Sequence, residues 1–152
     1  MWPDLQVLLL EHHVPQFTVD AHRAVGDFDV FGLSFSTELG YTNMLTAVDL
    51  AGIPLHAADR GDADPIVVAG GHAAFNPEPI SRFIDAAVLG DGEQAALDIT
   101  DVTAAWKSAG QIDGRAGLLS RLAEIEGVYV PSFYDVDYLP DGRIHRVVPN
   151  RP

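Results

Sequence analysis

The sequence predicts a domain of the α/β class, built on a doubly wound parallel sheet with helices on both faces. Short continuous apolar runs, typical of strands that are buried on both faces, alternate along the chain with segments of helical periodicity. Glycine-rich or polar turns follow these runs, as they do where the strands of such sheets end. The chain has 152 residues, 47% of them hydrophobic, which is enough for the core of one domain.

Helix and strand patterns alternate through the first part of the chain. The leucine-rich residues 4–13 predict a first helix, and the short β-branched and aromatic segment 16–19 predicts a strand. Residues 29–35 form a continuous apolar run, which predicts a buried parallel strand. Residues 37–51 place leucine and valine at helical intervals and stop before a glycine, so they predict a second helix.

The same alternation continues through the middle of the chain. Apolar residues 65–69 and 84–89 predict two more buried strands, each followed by glycine. Residues 94–108 predict a long helix, and a polar linker at 110–114 separates it from a short amphipathic helix at 118–125.

The last part of the chain has a different pattern. Residues 127–131 close the globular part. Two alternating segments, 133–138 and 144–148, flank a Pro-Asp-Gly turn and predict a β-hairpin. We therefore divide the chain into an α/β domain at 1–131 and a hairpin or linker at 132–152.

Composition excludes several classes of function. Nine basic residues against 22 acidic ones give a net charge of −13, which repels nucleic acid. The chain has no cysteine, so it cannot form a disulfide or bind an iron-sulfur cluster through thiolates. No apolar stretch is long enough for a membrane span, and the first residues do not form a secretory signal. We expect a cytoplasmic protein that binds neither nucleic acid nor membrane.

Small and polar residues follow three of the predicted strands. Because the carboxyl ends of parallel strands meet at one end of a sheet, these residues should line one crevice. Hydroxyls and glycine amides there can bind polar ligand groups, and helix starts add partial positive charge. The predicted binding residues are Ser34, Ser36, Gly70, Gly71, His72, Gly90, Asp91, Gly92 and Glu93.

An ordered set of motifs in these loops resembles a known family. The motifs are Gly32-Leu33-Ser34, Val68-Ala69-Gly70-Gly71-His72 with Asn76-Pro77-Glu78-Pro79, and Leu89-Gly90-Asp91-Gly92-Glu93. Together they resemble the N-terminal cobalamin-binding-like domain of B12-binding-type radical S-adenosylmethionine (radical SAM) proteins. The similarity continues through residues 50–55, 58–60 and 127–136, so it covers nearly the whole chain.

The resemblance implies a flavodoxin-like fold and an accessory role. In the family, the serine-bearing strand end, the double glycine and the glycine-rich loop line the crevice that holds the cobalamin tail. The resemblance places Ser34, Ser36, Gly70, Gly71, Gly90 and Gly92 there, with His72, Asp91 and Glu93 in the same loops. The catalytic partner is a radical SAM barrel, which holds the 4Fe-4S cluster and S-adenosylmethionine in the parent protein.

Two features of the family have no counterpart in this sequence. A first, central strand precedes the helix that opens the chain, and a three-cysteine motif follows the domain. The resemblance therefore implies a fragment with no catalysis of its own. Loss of the central strand would leave two neighbouring strands without their shared ladder, and the chain could self-associate through the unpaired edge.

Other interpretations of the same residues stay open. The domain could be a structural or interaction module that has lost cobalamin. A weaker alternative is a small serine hydrolase that uses Ser34 with His72 and Asp85, although the usual second glycine after the serine is missing. Asp20 and His22 imitate a cobalt-ligating motif, but the glycine of that motif comes one position too late. We therefore expect no cobalt ligand from this chain.

Overall fold

A computed structural model describes residues 3–151, which form a four-stranded sheet and a separate two-stranded hairpin. The sheet contains β1 (Val30–Ser34), β2 (Ile66–Gly70), β3 (Ala86–Val88) and β4 (Val128–Tyr129). The first three strands are parallel, and β4 runs antiparallel to β3. The predicted α/β class with a mostly parallel sheet is confirmed.

The strands of the sheet lie in the order of the chain, β1-β2-β3-β4. β1 pairs directly with β2 along its whole length, from Val30 opposite Ile66 to Ser34 opposite Gly70. We expected the missing central strand to leave two neighbouring strands without a ladder between them. That expectation is wrong, because β1 and β2 pair directly with each other. Within residues 3–151, the other edge of β1 pairs with no strand.

In the described part of the chain, four α-helices accompany the sheet: α1 (Pro3–Glu11), α2 (Tyr41–Leu50), α3 (Gly92–Ser108) and α4 (Gly114–Leu122). Each matches a predicted helix, with shifted ends. A turn of 3-10 helix (Glu38–Gly40) precedes α2, and α4 begins before the predicted residue 118. Within residues 3–151, no helix is long and apolar enough to cross a membrane.

The strand predicted at residues 16–19 is wrong. Only one isolated bridge forms there, between Phe17 and Ala24, and the side chain of Val19 is 86% exposed. The amide of Gln16 donates instead to the carbonyl of Leu50, at the end of α2. A β-branched segment without a neighbouring strand has no ladder to join, so its local preference is not realised.

Helices bury both faces of the sheet, which explains the continuous apolar runs. On one face, Met44 and Val48 of α2 belong to the same core as Val67 and Ala69 of β2. On the other face, the alternate residues of β2 lie in a core with α3 and α4, whose buried members include Ile66, Val68, Ile99, Trp106, Leu118 and Leu122. Successive side chains of a strand point to opposite faces, so a strand covered on both sides is apolar at every position.

The C-terminal hairpin, predicted from its alternating pattern, is also confirmed. β5 (Tyr134–Tyr138) and β6 (Ile144–Pro149) pair antiparallel. The hydroxyl of Tyr138 donates to Glu78 at 2.5 Å, and Arg151 Nη1, just after β6, donates to Ser120 Oγ on α4 at 2.9 Å. These contacts hold the hairpin against the domain.

A buried carboxylate, Asp85, lies just before β3 and binds two arginines. Its Oδ2 atom accepts from Arg60 Nη1 at 2.7 Å and from the amide of Val67 at 2.8 Å, and it forms an ion pair with Arg115 Nη2 at 3.0 Å. Its side chain is 1% exposed. Burial lowers the pKa of the Arg60 guanidinium, and the Asp85 carboxylate opposes that shift. The cluster is thus a charge network that is closed off from solvent.

Replacing Asp85 by alanine should destabilise the domain strongly. The substitution leaves two buried guanidinium groups without their carboxylate, which costs about 3–5 kcal/mol in the free energy of unfolding. Urea unfolding followed by circular dichroism measures the change. Asp141→Ala is the matched control, because it breaks an exposed ion pair with Arg143 and should leave the midpoint almost unchanged. Equal midpoints for the two variants would contradict a structural role for the cluster.

Candidate functional site

A cleft of about 410 Å³ opens at the carboxyl end of the sheet, on the face that α3 covers. It lies between the ends of β1, β2 and β3 and the first turn of α3. Most of the predicted binding residues line it: Ser34, Gly70, Gly71, Gly90, Asp91, Gly92 and Glu93. The structure therefore brings the three predicted loops together in one place.

The floor of this cleft has almost no side chains. A Cβ atom added to Gly32 on β1, to Gly70 on β2 or to Gly92 on α3 would meet no atom within 4 Å. Val68 and Val88 lie beside them and are the apolar part of the lining. None of the three glycines has a positive φ angle, so neither packing nor backbone conformation explains them. They leave space that a ligand could occupy.

Gly71 has a different role from these open glycines. Its φ angle is +86°, and an added Cβ would lie 2.6 Å from the carbonyl oxygen of Phe35 and 3.0 Å from Ser34 Oγ. The close approach lets the end of β2 turn next to the end of β1. Gly71 therefore shapes the wall of the cleft and does not widen it.

The charge around the cleft comes from the start of α3. Asp91 precedes the helix without capping it through its side chain, and Glu93 lies in the first turn. Both side chains are exposed, and no residue that lines the cleft is cationic. The free amides of the first helical turn add partial positive charge. This environment suits a neutral or weakly charged ligand that accepts hydrogen bonds from backbone amides.

Two predicted residues do not line the cleft. Ser36 follows β1, and His72 begins a short 3-10 helix (His72–Phe75); both are exposed. Sequence reasoning in turn missed Gly32, Val68 and Val88 as lining residues. The missed signal was the alternation of side chains along a strand, which places Gly32 on the same face as Ser34.

The structure does not assemble the hydrolase triad. Ser34 ends β1 at the carboxyl end of the sheet, whereas Asp85 precedes β3 at the amino end and is bound by Arg60 and Arg115. A carboxylate held there cannot orient a histidine near Ser34. His22, of the imitated cobalt-ligating motif, also lies before β1, away from the cleft.

A metal centre built from side chains has no support either. Among the residues that the structure describes, no group of three or more histidine, aspartate or glutamate side chains could hold an ion. Glu78, which the sequence motifs include, binds the hydroxyl of Tyr138.

A larger groove of about 800 Å³ lies at the amino end of the sheet. Its walls are loop residues 56–59, residues between 78 and 85, and hairpin residues between 131 and 138. Burial and the nearby Glu78 raise the pKa of Tyr129, beside this region, to about 12. The groove owes its size to the space under the hairpin. The carboxyl-end cleft is the better candidate site, because ligands of open parallel sheets bind beyond the carboxyl ends of the strands.

Gly71→Ala and Gly70→Ala should differ in their effect on the melting temperature. Gly71→Ala places a side chain at a positive φ angle and against Phe35, so the melting temperature should fall, with a loss of at least ~1–2 kcal/mol from the backbone alone. Gly70→Ala extends into open space and should leave the melting temperature close to that of the native chain. Differential scanning calorimetry compares them. A marked loss of stability in Gly70→Ala would mean that the floor of the cleft is closed in solution.

Comparison with known proteins gives one match. The sequence profile of the family described as "Radical SAM proteins, N-terminal" matches residues 1–131. No curated protein and no solved structure matches the chain. Because the profile covers most of the sequence, including every strand of the four-stranded sheet, the chain belongs to the family of radical SAM N-terminal domains.

Proposed function

We propose that this chain is an accessory, cobalamin-binding domain of a radical SAM protein, and that its carboxyl-end cleft holds the nucleotide tail of cobalamin. The observation that carries the proposal is the floor without side chains. Gly32 on β1 and Gly70 on β2 leave two positions bare that lie diagonally across the two strands, next to the start of α3. Strand glycines weaken a sheet, so two such positions at one cleft indicate selection for space.

The size and chemistry of the cleft support this ligand. A volume of about 410 Å³ lies within the ~300–1,000 Å³ range of small-molecule sites. The two valines offer apolar contacts to an aromatic base, while Ser34 and the amides around Gly90 and Gly92 can bond to polar groups of the tail. Bound cobalamin would supply a cobalt centre that carries alkyl groups or electrons. The role of this chain is to hold and orient that cofactor.

The catalytic part of the proposed parent protein supplies the radical chemistry. This sequence has no cysteine, so the thiolates of a 4Fe-4S cluster come from another domain, which also binds S-adenosylmethionine. In this proposal, residues 1–131 are the cofactor domain and residues 132–152 lead towards the catalytic barrel. The domain does not catalyse a reaction by itself.

One observation favours a second candidate, a structural domain that packs on the barrel without cobalamin. Asp91 and Glu93 place two carboxylates at the mouth of the cleft, and no lining cation balances them. The phosphodiester of the cobalamin tail would have to stay clear of both. The two candidates differ in one measurable property, which is retention of the cofactor.

The purified chain should retain hydroxocobalamin after desalting, as visible absorbance in proportion to the protein. Gly70→Leu fills the floor of the cleft and should abolish retention. Ala58→Leu adds the same side chain at the amino-end groove and is the matched control, which should bind like the native chain. Circular dichroism confirms that all three proteins are folded.

Two outcomes would overturn parts of this proposal. A folded native chain that retains no cobalamin would favour the structural domain. Retention by Gly70→Leu together with loss in Ala58→Leu would place the cofactor in the groove at the other end of the sheet.

A further inference from the structure

The outer edge of β1 presents unpaired backbone groups. On the side of β2, the carbonyl of Asp29 accepts from Ile66, and the amide of Phe35 donates to Gly70. Because bonding alternates along a parallel ladder, the intervening odd-numbered residues also face β2. The amides and carbonyls of Val30, Gly32 and Ser34 therefore point outward, and no strand within residues 3–151 pairs with them.

Nothing in β1 protects this edge from pairing. Natural edge strands carry lysine, proline or a bulge that blocks the addition of another strand. Val30–Ser34 reads Val-Phe-Gly-Leu-Ser, with none of these, and it pairs with β2 in a regular register. Phe31 and Leu33 are only partly buried, so apolar surface lies beside the open backbone. An added strand would cover both.

The outward groups of β1 are complementary to a second copy of themselves. If two β1 strands meet antiparallel about a two-fold axis at Gly32, Val30 of each copy lies opposite Ser34 of the other. Every outward residue then exchanges its N–H and C=O bonds with a counterpart.

Charge favours the antiparallel arrangement over the parallel one. The guanidinium of Arg23 lies 4.6 Å from the ring centre of Phe28, at the amino end of β1, whereas Glu38 lies just beyond the carboxyl end. Both side chains are exposed. Asp27 also lies at the amino end, and Asp29 there is paired with a lysine, so the formal charges of this end cancel. Antiparallel pairing brings Glu38 of each copy towards this neutral end of the other, whereas parallel pairing would bring the two Glu38 side chains together.

We propose that this chain forms an antiparallel dimer through the outer edges of β1, with one continuous sheet across the two copies. The net charge of −13 opposes association, but at physiological ionic strength charges further apart than ~8 Å are largely screened. The contacts near the two-fold axis therefore contribute most to the free energy of association. Five residues on each side make a small interface, so the dimer is weak and depends on concentration. This inference does not depend on cobalamin binding.

Sedimentation velocity and amide hydrogen exchange test the dimer in the intact chain. Sedimentation should show a monomer that converts to a dimer as concentration rises. In parallel, exchange at Gly32 should slow, while the amide of Leu33, which faces β2, stays protected throughout. A monomer at every soluble concentration, or a dimer in which Gly32 exchanges at the monomer rate, would overturn the proposal.

Charge reversal at the ends of β1 tests the antiparallel arrangement. Arg23→Glu leaves uncompensated negative charge at the amino end of β1, towards Glu38 of the other copy, and should raise the dimer dissociation constant on the order of tenfold. Adding Glu38→Arg places a cation opposite that charge. The double variant should restore association to within about threefold of the native value. Arg143→Glu changes the net charge as Arg23→Glu does, but on the exposed hairpin turn, and should have no effect. Failure of the double variant to restore association would rule out the antiparallel register.

Discussion

The structure depends on a single buried carboxylate at the amino end of the sheet. Asp85 binds the guanidinium groups of Arg60 and Arg115, and its side chain is 1% exposed. Each arginine also bonds to backbone carbonyls, Arg60 to those of Pro54, Leu55 and Phe83, and Arg115 to those of Gly61, Asp64 and Pro65. The network thus fastens the loop before β2, the loop before β3 and the start of α4 to one point. A buried ion pair adds little net stability over apolar packing, because desolvation offsets the attraction. Here the network fixes the positions at which β2 and β3 begin, and therefore the positions at which they end.

The two ends of the sheet differ, because the Asp85 network lies at the amino end and the cleft lies at the carboxyl end. At the amino end, ion pairs and hydrogen bonds of the Asp85 network hold the loops in place. At the carboxyl end, β2 ends in glycine and a glycine-rich loop follows β3, and the cleft contains space in place of side chains. The position of Asp85 relative to Val67 sets the register of β3 against β2, and that register continues to Val68 opposite Ala86. A cleft with a bare floor can keep its shape only if the strands that form it are fixed elsewhere.

The sequence was sufficient for features that depend on local pattern. The apolar run at β2 predicted a strand covered on both faces, and the glycines after β2 and β3 predicted where the site loops converge. Features that depend on distant partners were not predictable in the same way. The segment at 16–19 has strand-forming residues but no neighbouring strand, so it forms a single bridge. Arg60 and Asp85 are 25 residues apart, and a sequence pattern does not show that they meet. For that reason Asp85 was open to interpretation as a catalytic acid, which its burial between two arginines excludes.

Gly32 connects the two proposals while keeping them separable. Its missing side chain opens the floor of the cleft on the face that α3 covers, whereas its N–H and C=O groups point sideways, in the plane of the sheet. A ligand in the cleft would occupy the space left by the missing side chain, whereas a strand beside β1 would bind the N–H and C=O groups. β1 lines the cleft, and it is also the outermost strand of the sheet. Within residues 3–151 it therefore has a neighbouring strand on one side only. Pairing on its other side would restrain β1, since each added backbone hydrogen bond limits the bending of the strand. In the proposed dimer, the same pairing would therefore also stiffen the cleft, and association would favour binding of the proposed ligand even though the two contacts share no atoms.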